Sequence, residues 1–239
     1  MTLDSTDGPS LGRRAFLKIV AGLSLVLGLP RVAWGLFVKH FPVRTVEEAD
    51  FDFDPVLGQV LTQGQAPHPY RLVVDGLVEA PVELPYQQLR AWPQVEQVSD
   101  FHCVEGWSVA DVKWSGFRFS EIMKQVAVKP EAKYVVFHSL GQTGSKPDGQ
   151  DHYLESFPLE RLLNPQAEIL MVLDMDQQPL PLEHGAPLRV ISPYDLAYKS
   201  IKFVTRVEFT AKAKPGWWTL ANPIYPIDAP VPETRLRKK

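Results

Sequence analysis

"SDFHCVEGWSVADVKW", Ser99 to Trp114, contains the only cysteine of the 239-residue chain. A thiol with no possible disulfide partner leaves two broad choices. It is either a small buried apolar side chain in an ordinary core or a group that the fold is built to present. The segment "VSDFHCV" is strand-like, and successive strand residues point to opposite faces, so His102 and Cys103 should face different ways.

Around this stretch the composition is that of a globular chain. Hydrophobic residues make up 45% and charged residues 22%, enough for one large core or two small ones. The formal net charge of -3, with no long basic stripe, argues against nucleic acid or an anionic membrane surface as the main partner. The 22 prolines favour short strands and irregular connections, because proline removes a backbone donor and ends helices. There is no internal repeat and no low-complexity segment.

The N-terminal stretch "GRRAFLKIVAGLSLVLGLPRVAWG" sets Arg13 and Arg14 before Phe16, Leu17, Lys18 and an apolar run from Ile19 to Leu29. It resembles a twin-arginine export signal, with Gly12 where Ser or Thr is usual. The run is shorter than the ~18 to 20 residues a membrane-spanning helix needs. Ala33 and Gly35 suit cleavage after Gly35; retention as an uncleaved anchor is the alternative. Residues 1–35 are therefore read as a signal peptide, and the twin-arginine machinery and a periplasmic location as expectations. That route carries folded proteins, commonly ones loaded with a cofactor beforehand.

Beyond it, residues 36–66 read as an irregular arm, 67–212 as the catalytic domain and 213–239 as a proline-rich tail. "YRLVVDGLVEAPVEL" suggests two strands around a turn at Asp75-Gly76, and "PYQQLRAW" a helix after Pro85. Ser120 is a candidate cap for a helix through Val126. "YVVFHS", Tyr134 to Ser139, and "EILMVLDM" read as strands, and "SFPLERLLN" as a short helix. In "SIKFVTRVEFTA", Ile201, Phe203, Thr205, Val207 and Phe209 alternate with Lys202, Val204, Arg206 and Glu208, the period of a strand with one covered face. Many short strands with a few helices predict a mixed, strand-rich α+β domain.

A free cysteine is most often a buried small hydrophobe, yet a thiol in an oxidising compartment needs shielding or coordination. Three functional explanations stand beside the plain one. A nucleophile needs a base, for which His138, His152 and His184 are candidates. A copper or zinc site needs His and Cys to converge, which strand geometry denies to His102 and Cys103. A soft-metal cofactor that brings its other ligands on an organic carrier needs one thiolate.

Four segments, "CVEGWSVADVKWSGFRFSEIM", "AKYVVFHS", "PLPLEHGAPLRVISPYDLAYKSIKFVTRVEF" and "GWWTLANPIYP", stand in order between Tyr70 and Pro226. Together they resemble the molybdopterin-dependent oxidoreductases of the sulfite oxidase superfamily. They are most similar to its haem-free, twin-arginine-exported branch, which includes the catalytic subunit of a periplasmic protein-methionine-sulfoxide reductase. The resemblance implies a molybdenum-molybdopterin cofactor whose metal is ligated by Cys103. It places Ser139, His184 and Arg189 against the cofactor, and Ser200, Ile201 and Lys202 around its phosphate. Arg189, Lys199, Lys202 and the amides near Ser200 supply the guanidinium, ammonium and N–H donors a phosphate requires.

Sulfite oxidases place arginines near the metal to hold an oxyanion. The segment after Cys103 offers Glu105 and Trp107 instead, so a neutral sulfoxide is the expected substrate type, with Glu105 and Trp107 shaping its side of the site. The Asn-rich N-terminal motif of the sulfoxide-reducing branch has no counterpart in residues 36–66, and Asp195, Leu196 and Ala197 replace a more usual Lys-Tyr-Gly. One cysteine rules out a haem-attachment Cys-x-x-Cys-His and an iron–sulfur cluster, so a separate electron carrier, such as a membrane cytochrome, is expected. The sequence thus points to an exported oxidoreductase transferring an oxygen atom to or from an S- or N-oxide or a methionine sulfoxide. A cofactor-free binding or assembly protein on the same fold is the alternative.

Overall fold

The computed structural model describes residues 46–237; the signal-peptide reading and residues 36–45 of the arm lie outside them. In chain order, β1 (Glu47–Glu48) is followed by β2 (Phe51–Asp54), β3 (Gln59–Thr62) and β4 (His68–Pro69). Next come β5 (Arg71–Gly76), β6 (Val82–Pro85), α1 (Tyr86–Ala91), β7 (Val95–His102), β8 (Ser108–Phe117) and α2 (Ser120–Met123). After these lie β9 (Tyr134–Ser139), β10 (Gln142–Thr143), β11 (Leu154–Pro158), α3 (Leu159–Leu163) and β12 (Leu170–Met175). β13 (Gln178–Pro179), β14 (Arg189–Ile191), β15 (Val204–Thr210) and α4 (Trp217–Ala221) complete the set. This is the mixed, strand-rich α+β architecture that the sequence predicts.

Two five-stranded sheets dominate. In the first the order is β11-β9-β15-β5-β6, with β15 parallel to β5 and the other pairs antiparallel. Parallel neighbours need a long crossover, and everything from Leu77 to Phe203 lies between these two strands. The second sheet runs β13-β12-β8-β7, with β14 also paired to β12. β12 is apolar almost throughout and buried at Leu170, Met171, Val172 and Leu173, as a strand covered on both faces must be. Phe119, just past β8, meets Phe137 of β9 and Phe209 of β15 with ring centroids 6.0 Å apart in each case, so the two sheets share one aromatic core.

Several local expectations change. Asp75-Gly76 is not a tight turn: β5 runs through it, paired with Glu208 and Phe209, and the chain returns only at Val82. Ser120 is the first residue of α2 rather than its cap, since the cap position is Phe119 and no side chain caps it. The helix is one turn long. Alternation begins at Val204 instead of Ile201, because Phe203 takes a positive φ of 55° and a register shift falls between Val204 and Arg206. Part of the arm is ordered as β1 to β3. Phe53 of β2 packs against Tyr86 and Tyr70 with ring centroids 4.9 and 6.1 Å away.

Candidate functional site

The turn between β7 and β8 presents the cysteine. The Cys103 amide donates to the Trp107 carbonyl (2.9 Å) and the Gly106 amide to the Cys103 carbonyl (3.2 Å), while Gly106 takes a φ of +97°. Cys103 is half-buried, and His102 is buried with Nδ1 2.8 Å from the Ser108 hydroxyl. The two side chains thus occupy different surroundings, in line with strand alternation. Burial pushes the Cys103 thiol up; the Glu105 and Val104 amides bonded to the sulfur and the charge of Arg235 pull it down, against the Glu105 carboxylate. Trp107 and Glu105 are exposed on the same turn, and the indole N–H donates to Glu105 Oε2 (3.2 Å).

Behind the turn lies Arg189 of β14, buried among apolar side chains. Its guanidinium sits over the rings of Phe101 and Trp114 at 5.4 and 5.2 Å. It donates to the His184 carbonyl (2.7 Å) and the Ser200 carbonyl (3.1 Å), joining the two segments on either side of it. Burial pulls its pKa down to about 10, partly countered by Glu47. Its Nε is buried with no hydrogen-bond partner.

Lys202 is the second cation. Its ammonium reaches the Glu183 carbonyl at 3.3 Å and lies 5.0 Å from the centre of the Phe203 ring. Burial lowers its pKa to about 8, with Glu47 and Glu183 opposing and Arg189 reinforcing the shift. Gly185, at φ +111°, lets this chain pass: a Cβ there would stand 2.8 Å from Lys202 Cγ. Ser139 ends β9 and donates to Glu47 Oε1 (2.9 Å), and the charge of the same carboxylate acts on both Arg189 and Lys202. Glu47 was not among the sequence candidates. It belongs to a two-residue strand that no periodicity marks.

The other candidates sort by what their atoms already do. Ser200 is buried, its hydroxyl accepting from the Ser192 amide (3.1 Å). The carbonyl of Ile201 accepts from the Val190 amide (2.9 Å), binding the 195–202 segment to β14. His184 is buried in the short 3-10 turn Leu182–His184. Lys199 is placed differently from a phosphate ligand: its ammonium bonds Glu155 Oε2 (2.8 Å) and the Ser156 carbonyl (2.7 Å) over the Phe157 ring. It anchors the segment from beneath. His138 and His152 are bonded to each other (2.9 Å), and His138 also to Glu208 (2.9 Å).

Comparison with known proteins shows the family. The model of the oxidoreductase molybdopterin binding domain matches residues 59–218. The chain belongs to that family. This molybdopterin-binding oxidoreductase domain is 33% identical over 164 residues to the uncharacterized oxidoreductase YuiH of Bacillus subtilis (strain 168), covering 66% of this chain and 77% of that protein. It is 32% identical over 163 residues to the protein-methionine-sulfoxide reductase catalytic subunit MsrP of Ralstonia nicotianae (66% of this chain, 48% of that one). The MsrP of Gluconobacter oxydans is likewise 32% identical, over 68% of this chain and 54% of its own. The domain therefore spans about half the length of these two MsrP relatives. Its fold is like that of the sulfane dehydrogenase SoxCD from Paracoccus pantotrophus, with a TM-score of 0.52 at 20% identity over 87% of this chain and 57% of that one.

The residues present fit the cofactor that the family name implies. The buried Arg189 Nε has no hydrogen-bond partner and the Lys202 ammonium has one, at 3.3 Å, so beyond the charge of Glu47 both keep donor capacity that an anion would satisfy. The half-buried thiol is a soft ligand that leaves a metal's remaining positions open.

Proposed function

We propose that the protein is an exported molybdenum-cofactor oxidoreductase that transfers an oxygen atom to or from an S- or N-oxide, protein-bound methionine sulfoxide included. The buried Arg189 with its unpartnered Nε, behind the chain's only thiol, carries this reading. Cys103 would hold the metal; Arg189, Lys202, Ser139 and the backbone of Ser200 and Ile201 would hold the pterin and its phosphate, with His184 contributing from the neighbouring turn. Bound there, the group supplies a two-electron centre for oxygen-atom transfer.

The chain's own residues bind and orient. Arg189 fixes the His184 and Ser200 carbonyls, and its unpartnered Nε would donate to an anion of the cofactor. Glu105 and Trp107, exposed and hydrogen-bonded to each other, form a wall with an apolar ring and a carboxylate. That chemistry suits a neutral, polarised sulfoxide beside an alkyl chain better than an oxyanion, which the carboxylate repels. Electrons would come from a separate carrier such as a membrane cytochrome. A periplasmic location reached by the twin-arginine route is part of the proposal; among the described residues no helix is long and apolar enough to cross a membrane.

Protein purified from a host that makes the cofactor should carry about one molybdenum per chain, and Cys103→Ala should abolish oxygen-atom transfer with an artificial electron donor. No metal in the parent protein, or full activity in Cys103→Ala, overturns the assignment. With an artificial electron donor, sulfoxide reduction should exceed sulfite oxidation; the reverse order would refute the substrate reading alone.

A further inference from the structure

The segment from Pro226 to Arg237 lies beyond the family match, which ends at residue 218, and it runs along both halves of the candidate site. The Tyr198 hydroxyl donates to the Pro226 carbonyl (2.7 Å). The Leu196 amide donates to the Ala229 carbonyl (2.8 Å) and the Val231 amide to the Tyr194 carbonyl (2.9 Å). Leu196 in turn bridges to His102, and Ala229 and Val231 are buried.

A short 3-10 turn, Glu233–Arg235, then aims a guanidinium at the cysteine loop. Arg235 Nη1 donates to the Cys103 carbonyl (2.9 Å), and Nη2 to the Trp107 carbonyl (2.7 Å) and the Ser108 hydroxyl (3.0 Å). The same hydroxyl bonds His102 Nδ1. Two residues on, Arg237 reaches Asp100 Oδ2 and Asp111 Oδ1, each at 2.7 Å, on the two strands of the hairpin. The carbonyls taken by Arg235 mark the two ends of the loop. A planar guanidinium holds both at once, which an ammonium, a single point of charge, does poorly.

We propose that Arg235 is a positioning residue. Through it the C-terminal strap fixes the Cys103–Ser108 loop against the 194–202 segment, and so sets where the thiol stands relative to the cationic end of the site. Val104 to Trp107 are exposed, so core packing does not freeze the loop; its two internal hydrogen bonds close the turn, and the fork ties the closed turn to the strap. This rests on the proposed role of Cys103 only for its bearing on the metal; the clamp itself is a property of the chain.

The test is amide hydrogen exchange on the full chain. Arg235→Gln should speed exchange at the Cys103 and Gly106 amides by about tenfold or more, as loss of charge-assisted hydrogen bonds implies. Amides of β12 and β15 should be unaffected, and Arg235→Lys should fall between. Arg71→Gln, an exposed cation whose ion pair is with Glu83, should leave the loop as it is. Unchanged loop exchange in Arg235→Gln overturns the proposal, and so does equal acceleration throughout β12 and β15, which would make Arg235 a general stabiliser. Molybdenum content of the same preparations separates the two proposals. A metal-free parent with an accelerated loop in the variant defeats the assigned function and keeps the clamp; a loaded parent with an unchanged loop does the opposite.

Discussion

Lys202 is the residue whose charge state the fold controls most directly at the site. In an unfolded chain a lysine titrates near ~10.4; burial brings Lys202 down to about 8. Between those values the unfolded chain binds more protons than the folded one, so stability should rise with pH across that window. Below it the buried ammonium weighs fully against folding, and above it neither state is charged. Cofactor-free protein should therefore gain resistance to urea from pH 8 to 10, and Lys202→Met should lose that gain relative to the parent. A phosphate bound beside Lys202 reverses the balance by favouring the protonated amine. Phosphate affinity in titration calorimetry should fall as pH rises through 8 in the parent but not in Lys202→Met. Equal pH dependence in the two proteins would place Lys202 outside the anion site.

At the scale of elements, the central β8-β12 pairing depends on a missing side chain. A Cβ on Gly116 would lie 1.9 Å from the Met171 carbonyl oxygen, too close for anything except backbone displacement. Gly116→Ala should destabilise the protein by about 2 to 4 kcal/mol, measured by urea unfolding, by forcing two buried strands apart; a change under about 0.5 kcal/mol would show that the pair adjusts freely. β8 illustrates what the sequence hides. From Asp111 to Gly116 the polar residues Asp111, Lys113 and Ser115 alternate with the buried Val112, Trp114 and Gly116, but Ser108 to Ala110 do not continue the pattern and Gly116 weakens the strand signal, so the full extent of the longest strand among the described elements is not marked. β9 and β12 were readable because apolar runs of strand length leave little else to form. β2 was not: "FDFD" alternates correctly but for only four residues. The site divides in the same way. Cys103, Ser139, Arg189 and Lys202 sit in contiguous motifs, whereas Glu47 and Arg235 reach it from the two ends of the described chain through tertiary contacts that leave no local pattern.

Across the whole molecule, the Lys199–Glu155 ion pair joins parts that are far apart in sequence: β11 of the first sheet, the 195–202 segment, and the start of α4. Both side chains are almost wholly buried, and a Cβ on Gly216 would fall 2.2 Å from Glu155 Oε1, so the tail closes directly over the carboxylate. Burial drives the Glu155 pKa upward, and Lys199 opposes it most strongly. Such a pair gains little over an apolar contact of the same shape, yet breaking it from one side strands a charge in a medium that cannot solvate it. Lys199→Met should therefore cost about 3 to 5 kcal/mol in urea unfolding. Adding Glu155→Gln should recover much of that loss, because the second change removes the stranded charge and not a further favourable contact. Recovery would assign Lys199 to holding the molecule together, as its contacts indicate, rather than to the phosphate. If the double variant instead loses about as much again as the single one, the carboxylate is stabilising in its own right, and its other neighbours, Tyr153 and the tail at Gly216, must carry the charge that Lys199 now balances.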